Sequence, residues 1–207
     1  SEETATLERI AATCIGGALG AIVYYAWPTW ESPLTRAQIA QLLDLDRRFA
    51  RTMLDVYAGA ARRDPQAENE LRLAIWSARS KAAASVERML GEPARTFEID
   101  PQRALAVLSA EQRFALANVA LKERLDVSPA PQPLPELAGF ADVLDEVARS
   151  VVAALQNGSS PQALRSIREA HVRLSAAAAG SSNPDAAYVA AQCDRYADAI
   201  NSIAEAL

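Results

Sequence analysis

The chain has 207 residues, of which half are apolar and 23% are charged, so it is long and apolar enough to bury a core. Its formal net charge of -5 provides no strongly basic surface, and we expect no nucleic-acid partner. Two distant cysteines and a single histidine lack the spacing of a metal site, and no nucleophile or phosphate-loop motif is present. We therefore expect no catalytic residue, no metal and no cofactor.

The first predicted element is an apolar helix at the start of the chain. Residues 10–27 carry no charge and reach roughly 27 Å as a helix, close to the hydrocarbon thickness of about 30 Å. Arg9 precedes this run, and aromatic rings of the kind found at membrane interfaces close it, at Tyr24, Tyr25, Trp27 and Trp30. The pattern predicts a terminal transmembrane helix with an aromatic exit over residues 1–31; a helix buried in a soluble bundle is the alternative.

Two further features of this helix bear on its surroundings. Gly16 and Gly20 form a small-residue face of the kind that lets another membrane helix pack closely. Only Arg9 precedes the apolar run, whereas Arg36, Arg47, Arg48 and Arg51 follow it. The positive-inside rule then predicts that the residues after about 31 lie in the cytoplasm.

The rest of the chain is divided by helix start and stop signals. Capping residues precede prolines at Ser32, Asp64, Asp100, Ser160 and Asn183, and glycines follow apolar runs at Gly91, Gly158 and Gly180. These signals predict six helices, the first three over about 33–62, 65–90 and 101–125. Prolines at every second position from 129 to 135 predict a stiff linker. The body is thus divided into a bundle part at 32–128, the linker at 129–135 and a second bundle part at 136–207.

Each predicted helix carries one apolar stripe at steps of three and four. The stripe of the second helix is Ile39, Leu42, Phe49, Met53 and Val56, and that of the third is Leu71, Ile75, Ala78, Ala82, Val86 and Met89. No segment alternates with the period of a strand. The sequence therefore predicts an all-α fold, in which one N-terminal transmembrane-like helix precedes a six-helix antiparallel bundle.

A few side chains of the body are candidates for binding. His171 lies on the stripe of the sixth helix as a candidate ligand-binding or pH-sensing group, although a hydrogen-bonded structural histidine is the favoured interpretation. Trp76 lies beside the stripe of the third helix, where packing is favoured over ligand recognition. The pairs Arg47–Arg48 and Arg62–Arg63 suit anionic lipid or a soluble acid, but a solvated helix face is the simpler interpretation.

The N-terminal third resembles a known family. The residues that carry the likeness are Leu7, Glu8, Arg9, Thr13, Gly16, Gly17 and Trp27-Pro28-Thr29-Trp30-Glu31. They resemble the last membrane helix of the fusaric acid resistance (FUSC) family, which includes aromatic acid exporters of the bacterial inner membrane. Arg79, Ala82 to Ala84, Arg88, Met89, Leu90, Glu92 and Pro93 are similar to the cytoplasmic region that follows that helix in the family.

The resemblance implies that the chain is the C-terminal portion of an inner-membrane exporter of aromatic or other organic acids. Its soluble helices then serve assembly or regulation, and its partners are other membrane helices of the same protein or of a homo-oligomer, anionic lipid and a small organic acid. Arg9 and Thr13 become candidates for the substrate path, with membrane anchoring as the alternative for Arg9. The chain departs from the family in having one span and in carrying Ala12 where an acidic residue is frequent.

An alternative function belongs to another class. The chain is then a soluble α-helical interaction or ligand-binding module whose apolar N-terminal helix is buried in its own core or in a dimer. As a binding module it detects a hydrophobic acid, with His171 or Trp76 lining the pocket.

Overall fold

A computed structural model describes residues 2–26, 32–91, 99–161 and 166–207. Over these residues the chain forms seven helices and no strand, which confirms the all-α prediction. The helices are α1 (Glu2–Ala26), α2 (Ser32–Ala58), α3 (Pro65–Leu90), α4 (Pro101–Val127), α5 (Leu137–Asn157), α6 (Ile167–Ala179) and α7 (Ala186–Ala206). The chain divides into two compact units, residues 1–30 and residues 31–207.

The first unit contains α1, whose side chains are described at residues 9–22. All of them are exposed, and Ile10, Ile15, Leu19 and Ile22 are each more than half exposed. The alternative of a helix buried in a soluble bundle or in a dimer stays a prediction. Across the described ranges, no helix combines the length and the apolarity that crossing a membrane requires.

Capping side chains mark where three helices of the second unit, α3, α4 and α6, begin. The carboxylates of Asp64 and Asp100 each accept hydrogen bonds from two backbone N–H groups of the first turn that follows, and proline occupies the first helical position. The predicted start of α6 after Ser160 is wrong, because the helix begins at Ile167 and Ser166 caps it by accepting a hydrogen bond from the Glu169 N–H.

The end of α2 and the proline-rich linker are packed together. Helix α2 ends at Ala58, four residues before the predicted end at about 62. Gly59 follows with a φ of +74°, and a Cβ at this position would lie 2.9 Å from the Cβ of Pro133. The Leu134 N–H donates to the Tyr57 carbonyl over 2.8 Å, and the Leu134 side chain is buried. The linker is therefore a fixed part of the second unit.

The core of the second unit is arranged around α2 and α7. Helix α2 packs against α3, α4 and α5, and α7 packs against α4, α5 and α6. The predicted stripe of α2 is buried throughout, whereas Leu71 and Ile75 of α3 are only partly buried. The first half of α3 is thus less covered by its neighbours than the apolar spacing predicted.

Two arginines connect helices of this unit. Arg47 of α2 pairs with Asp44 and with Asp145 of α5, and Arg63 pairs with Glu68 of α3. The solvated-face interpretation is wrong for Arg47 and Arg63, whose side chains are 14% and 13% exposed. It holds for their neighbours Arg48 and Arg62, which are exposed.

Candidate ligand-binding cleft

A cleft opens in the second unit between the first half of α3 and the second half of α4. Its volume is about 650 Å³, within the range of small-molecule sites. Four apolar side chains in its walls remain between 49% and 72% exposed, namely Leu73, Trp76, Leu116 and Val119. Large apolar side chains that are exposed side by side in this way are typical of surfaces that bind a ligand or another protein.

Three cationic side chains also line the cleft. Arg72 is exposed and has no ion pair among the described residues, whereas Lys122 pairs with Asp126 one turn along α4. Arg79 extends from α3 to two buried acids, and its side chain is 34% exposed. The cleft therefore combines apolar walls with positive charge.

The floor of the cleft holds a buried pair of carboxyl groups. Asp46 of α2 and Glu111 of α4 are each 1% exposed, and their side chains share a hydrogen bond. The Arg79 Nη2 lies 2.7 Å from the Glu111 Oε1 and 3.4 Å from the Asp46 Oδ2. One guanidinium is thus in contact with both acids. A hydrogen bond between two carboxyl groups requires that one of them be protonated.

The pKa values of both acids reflect this environment. Burial is the largest cause that raises the pKa of Glu111, to about 9, and the hydrogen bond to Asp46 and the charge of Asp46 add to it. Burial also raises the pKa of Asp46, against the opposing effects of Glu111, Arg79 and Asn118. The buried pair therefore keeps a shared proton at pH values where two exposed carboxyl groups would both be ionised.

An amide connects this pair to the last helix. The Asn118 Nδ2 donates to the Asp46 Oδ1 over 2.9 Å and to the Asp46 carbonyl over 3.1 Å. The Tyr196 hydroxyl of α7 donates to the Asn118 Oδ1 over 2.6 Å. Asn118 and Tyr196 are buried, so Asp46 is held by direct partners on α3 and α4 and, through Asn118, by α7.

The two candidate binding residues of the body lie in different places. Trp76 lines the cleft and is 72% exposed, so it is not packed in the core of the second unit, and its packing in an interface stays a prediction. The His171 Nε2 lies 3.1 Å from the Ala190 carbonyl of α7 and 3.1 Å from the Ser175 Oγ, and its Nδ1 lies 3.4 Å from Asp194. His171 therefore packs against α7 with polar partners, as a structural histidine does.

The remaining predicted site residues belong to the first unit. A Cβ at Gly16 or Gly20 would meet nothing within 4 Å apart from its chain neighbours and the nearby backbone of its own helix. The Thr13 Oγ1 donates to the Arg9 carbonyl of the same helix. The side chains of Tyr24 and Tyr25, and Trp27 and Trp30 as a whole, lie outside the described residues. Among the described residues, no group of three or more His, Cys, Asp or Glu could hold a metal ion.

Sequence reasoning missed Asp46, Glu111 and Asn118, although their positions carried a signal. Asp46 lies four residues after Leu42 and three before Phe49, which places it within the predicted stripe of α2. Glu111 and Asn118 occupy equivalent positions on either side of Phe114 in α4. A charge or amide that interrupts an apolar stripe on two helices indicates a polar cluster between them.

Comparison with known protein families, curated proteins and solved structures finds no match to this chain. The resemblance to the FUSC family therefore stays a prediction.

Proposed function

We propose that helices α2–α7 form a ligand-binding module whose α3–α4 cleft takes an organic anion with a flat apolar body. The observation that carries this proposal is the cluster of exposed apolar side chains around Trp76, in a cavity whose rim is cationic. Trp76, Leu73, Leu116 and Val119 provide the surface for an apolar ring system. Arg72 and Arg79 provide guanidinium groups of the kind that recognise carboxylates and related anions.

Calorimetric titration of the full chain with naphthalene-2-sulfonate tests this proposal. We expect saturable binding, and weaker binding of the uncharged naphthalene-2-sulfonamide, because the amide lacks the charge that the arginines attract. Trp76→Ala should weaken binding of the sulfonate by about tenfold or more, and Leu116→Ala by about fivefold, since each removes apolar contact area.

The matched control is Leu105→Ala, on the same helix as Leu116 and similarly exposed but outside the cleft. This variant should bind naphthalene-2-sulfonate like the wild type. Absence of saturable binding, or binding that both cleft variants leave unchanged, contradicts the proposed function.

The exposed apolar side chains of α1 favour a second candidate function. We propose that the chain is then the C-terminal portion of a FUSC-like inner-membrane exporter of organic acids. Although its described residues fall short of the length and apolarity of a membrane span, helix α1 in this proposal packs through Gly16 and Gly20 against other membrane helices. The second unit then lies in the cytoplasm. The open space beside both glycines and the exposure of Ile10, Ile15, Leu19 and Ile22 support this proposal.

Carbonate extraction of bacterial membranes that contain the full chain tests the second candidate. We expect the wild type to remain in the membrane pellet and the double variant Ile15→Glu, Leu19→Glu to be released, because charges inside hydrocarbon are costly. The control is Leu105→Glu with Val127→Glu, two exposed positions of the second unit. Recovery of the wild type in the carbonate supernatant contradicts this function.

A further inference from the structure

We propose that anion binding in the α3–α4 cleft is coupled to uptake of a proton by the Asp46–Glu111 pair, with Arg79 as the group that couples them. This inference rests on the proposed function of the cleft. It assigns to the buried acids a regulatory role, in which the pH sets the affinity for the ligand.

The position of Arg79 carries the inference. Its guanidinium contacts both carboxyl groups at the floor and also lines the cavity that receives the ligand. A ligand anion within reach of Arg79 competes with Asp46 and Glu111 for the same positive charge. An ionised carboxyl that loses part of its cationic partner while it stays buried becomes more basic.

The other side chains described around Asp46 and Glu111 do not supply a positive charge in place of Arg79. From α7, the Tyr196 hydroxyl and the Cys193 thiol face this region, and burial raises the pKa of each well above its usual value, so both stay neutral. From α4, Asn118 is uncharged and Lys122 pairs with Asp126. From α3, Arg72 lines the outer cleft. Among the described side chains, Arg79 is the cation in contact with the two acids.

The direction of the effect follows from reciprocal linkage. If the bound anion raises the proton affinity of the pair, protonation of the pair raises the affinity for the anion to the same extent. Affinity should therefore increase as the pH falls, by up to about tenfold per pH unit where one proton is taken up. A ligand without charge does not draw Arg79 away and should show neither effect.

Calorimetry with naphthalene-2-sulfonate, which has no titratable group in this range, measures the coupling directly. The full chain is titrated between pH 5.5 and 8.5 in pairs of buffers with different heats of ionisation. We expect a binding heat that depends on the buffer, corresponding to uptake of up to one proton, and a dissociation constant that rises with pH. Naphthalene-2-sulfonamide should give the same heat in both buffers.

Substitution of the pair assigns the proton. Asp46→Asn combined with Glu111→Gln should remove the proton uptake and bind the sulfonate more tightly at pH 8.5, because Arg79 is then held by a charge at neither acid. Glu123→Gln, at an exposed acid on α4, should behave like the wild type. Wild-type measurements decide the question even if the double variant fails to fold.

The outcomes separate this inference from the proposed function. If Trp76→Ala weakens sulfonate binding but the wild-type heat is the same in every buffer pair, the cleft binds anions and the proton coupling is wrong. If the sulfonate does not bind, or binds without dependence on Trp76 and Leu116, the proposed function fails and the coupling fails with it.

Discussion

Replacing Arg63 with methionine should lower the free energy of unfolding by about 3–5 kcal/mol, as is typical when one partner of a buried ion pair is removed. The Arg63 Nε and Nη2 donate to both carboxylate oxygens of Glu68 over 2.9 Å, and its Nη1 donates to the Leu125 carbonyl over 2.7 Å. Glu68 is 1% exposed, so without Arg63 its charge is left buried and unpaired. Urea denaturation of the full chain measures the change.

Two variants isolate the cause of this effect. Arg62→Met changes an adjacent, exposed arginine and should alter the free energy of unfolding by less than about 0.5 kcal/mol. The double variant Arg63→Met, Glu68→Leu also removes the unpaired buried acid and should recover much of the lost free energy of unfolding. If Arg63→Met is as stable as Arg62→Met, the pair does not join the start of α3 to the end of α4 in the way the contacts indicate.

We also expect the free energy of unfolding of the wild type to fall as the pH rises, and Glu111→Gln to reduce this fall. The pKa of Glu111 is about 9 in the folded chain and 4.5 as an unperturbed group, so between these values the folded state holds a proton that the unfolded state has released. This proton uptake on folding stabilises the chain fully below about pH 4.5, and the stabilisation decreases as the pH rises towards 9. The contribution to the slope is at most about 1.4 kcal/mol per pH unit.

Urea denaturation of the full chain between pH 5 and 9 tests this sign. A glutamine has the shape of the protonated acid and keeps a donor for Asp46, so Glu111→Gln should match the wild type near pH 5 and exceed it in stability near pH 9. Glu123→Gln provides the same chemical change at an exposed site of α4 and should follow the wild type throughout. Parallel profiles for the wild type and Glu111→Gln would show that Glu111 is not protonated in the folded state.

Local and periodic signals predicted much of the second unit. Proline behind an aspartate marked the starts of α3 and α4, because a carboxylate that caps the first turn acts on its own neighbours in sequence. The apolar spacing identified the buried face of α2 correctly, from Ile39 to Val56. Helix caps depend on contacts between residues close in sequence, and a buried helix face depends on the spacing of apolar residues. Both can be identified from the sequence alone.

The cleft depends on contacts between helices and could not be predicted in the same way. Leu71 and Ile75 continue the stripe of α3 but are only partly buried, and Ile75 lines the cleft together with Trp76. The burial of Asp46 and Glu111 requires Arg79 and Asn118 from other positions in the chain, which spacing does not reveal. Trp76 was a candidate for pocket lining, whereas the polar positions Asp46 and Glu111 in the apolar stripes indicate a buried polar cluster but not the cleft beside it.

The amide of Asn118 has a consequence for how this chain can diverge over evolutionary time. Its nitrogen is committed to Asp46 and its oxygen to Tyr196, so no other side chain of similar size can satisfy both neighbours alone. Residues that share a buried network are not substituted independently. Homologues should therefore either keep all three positions or exchange them as a set, and a homologue that has exchanged the set has given up the polar floor of the cleft.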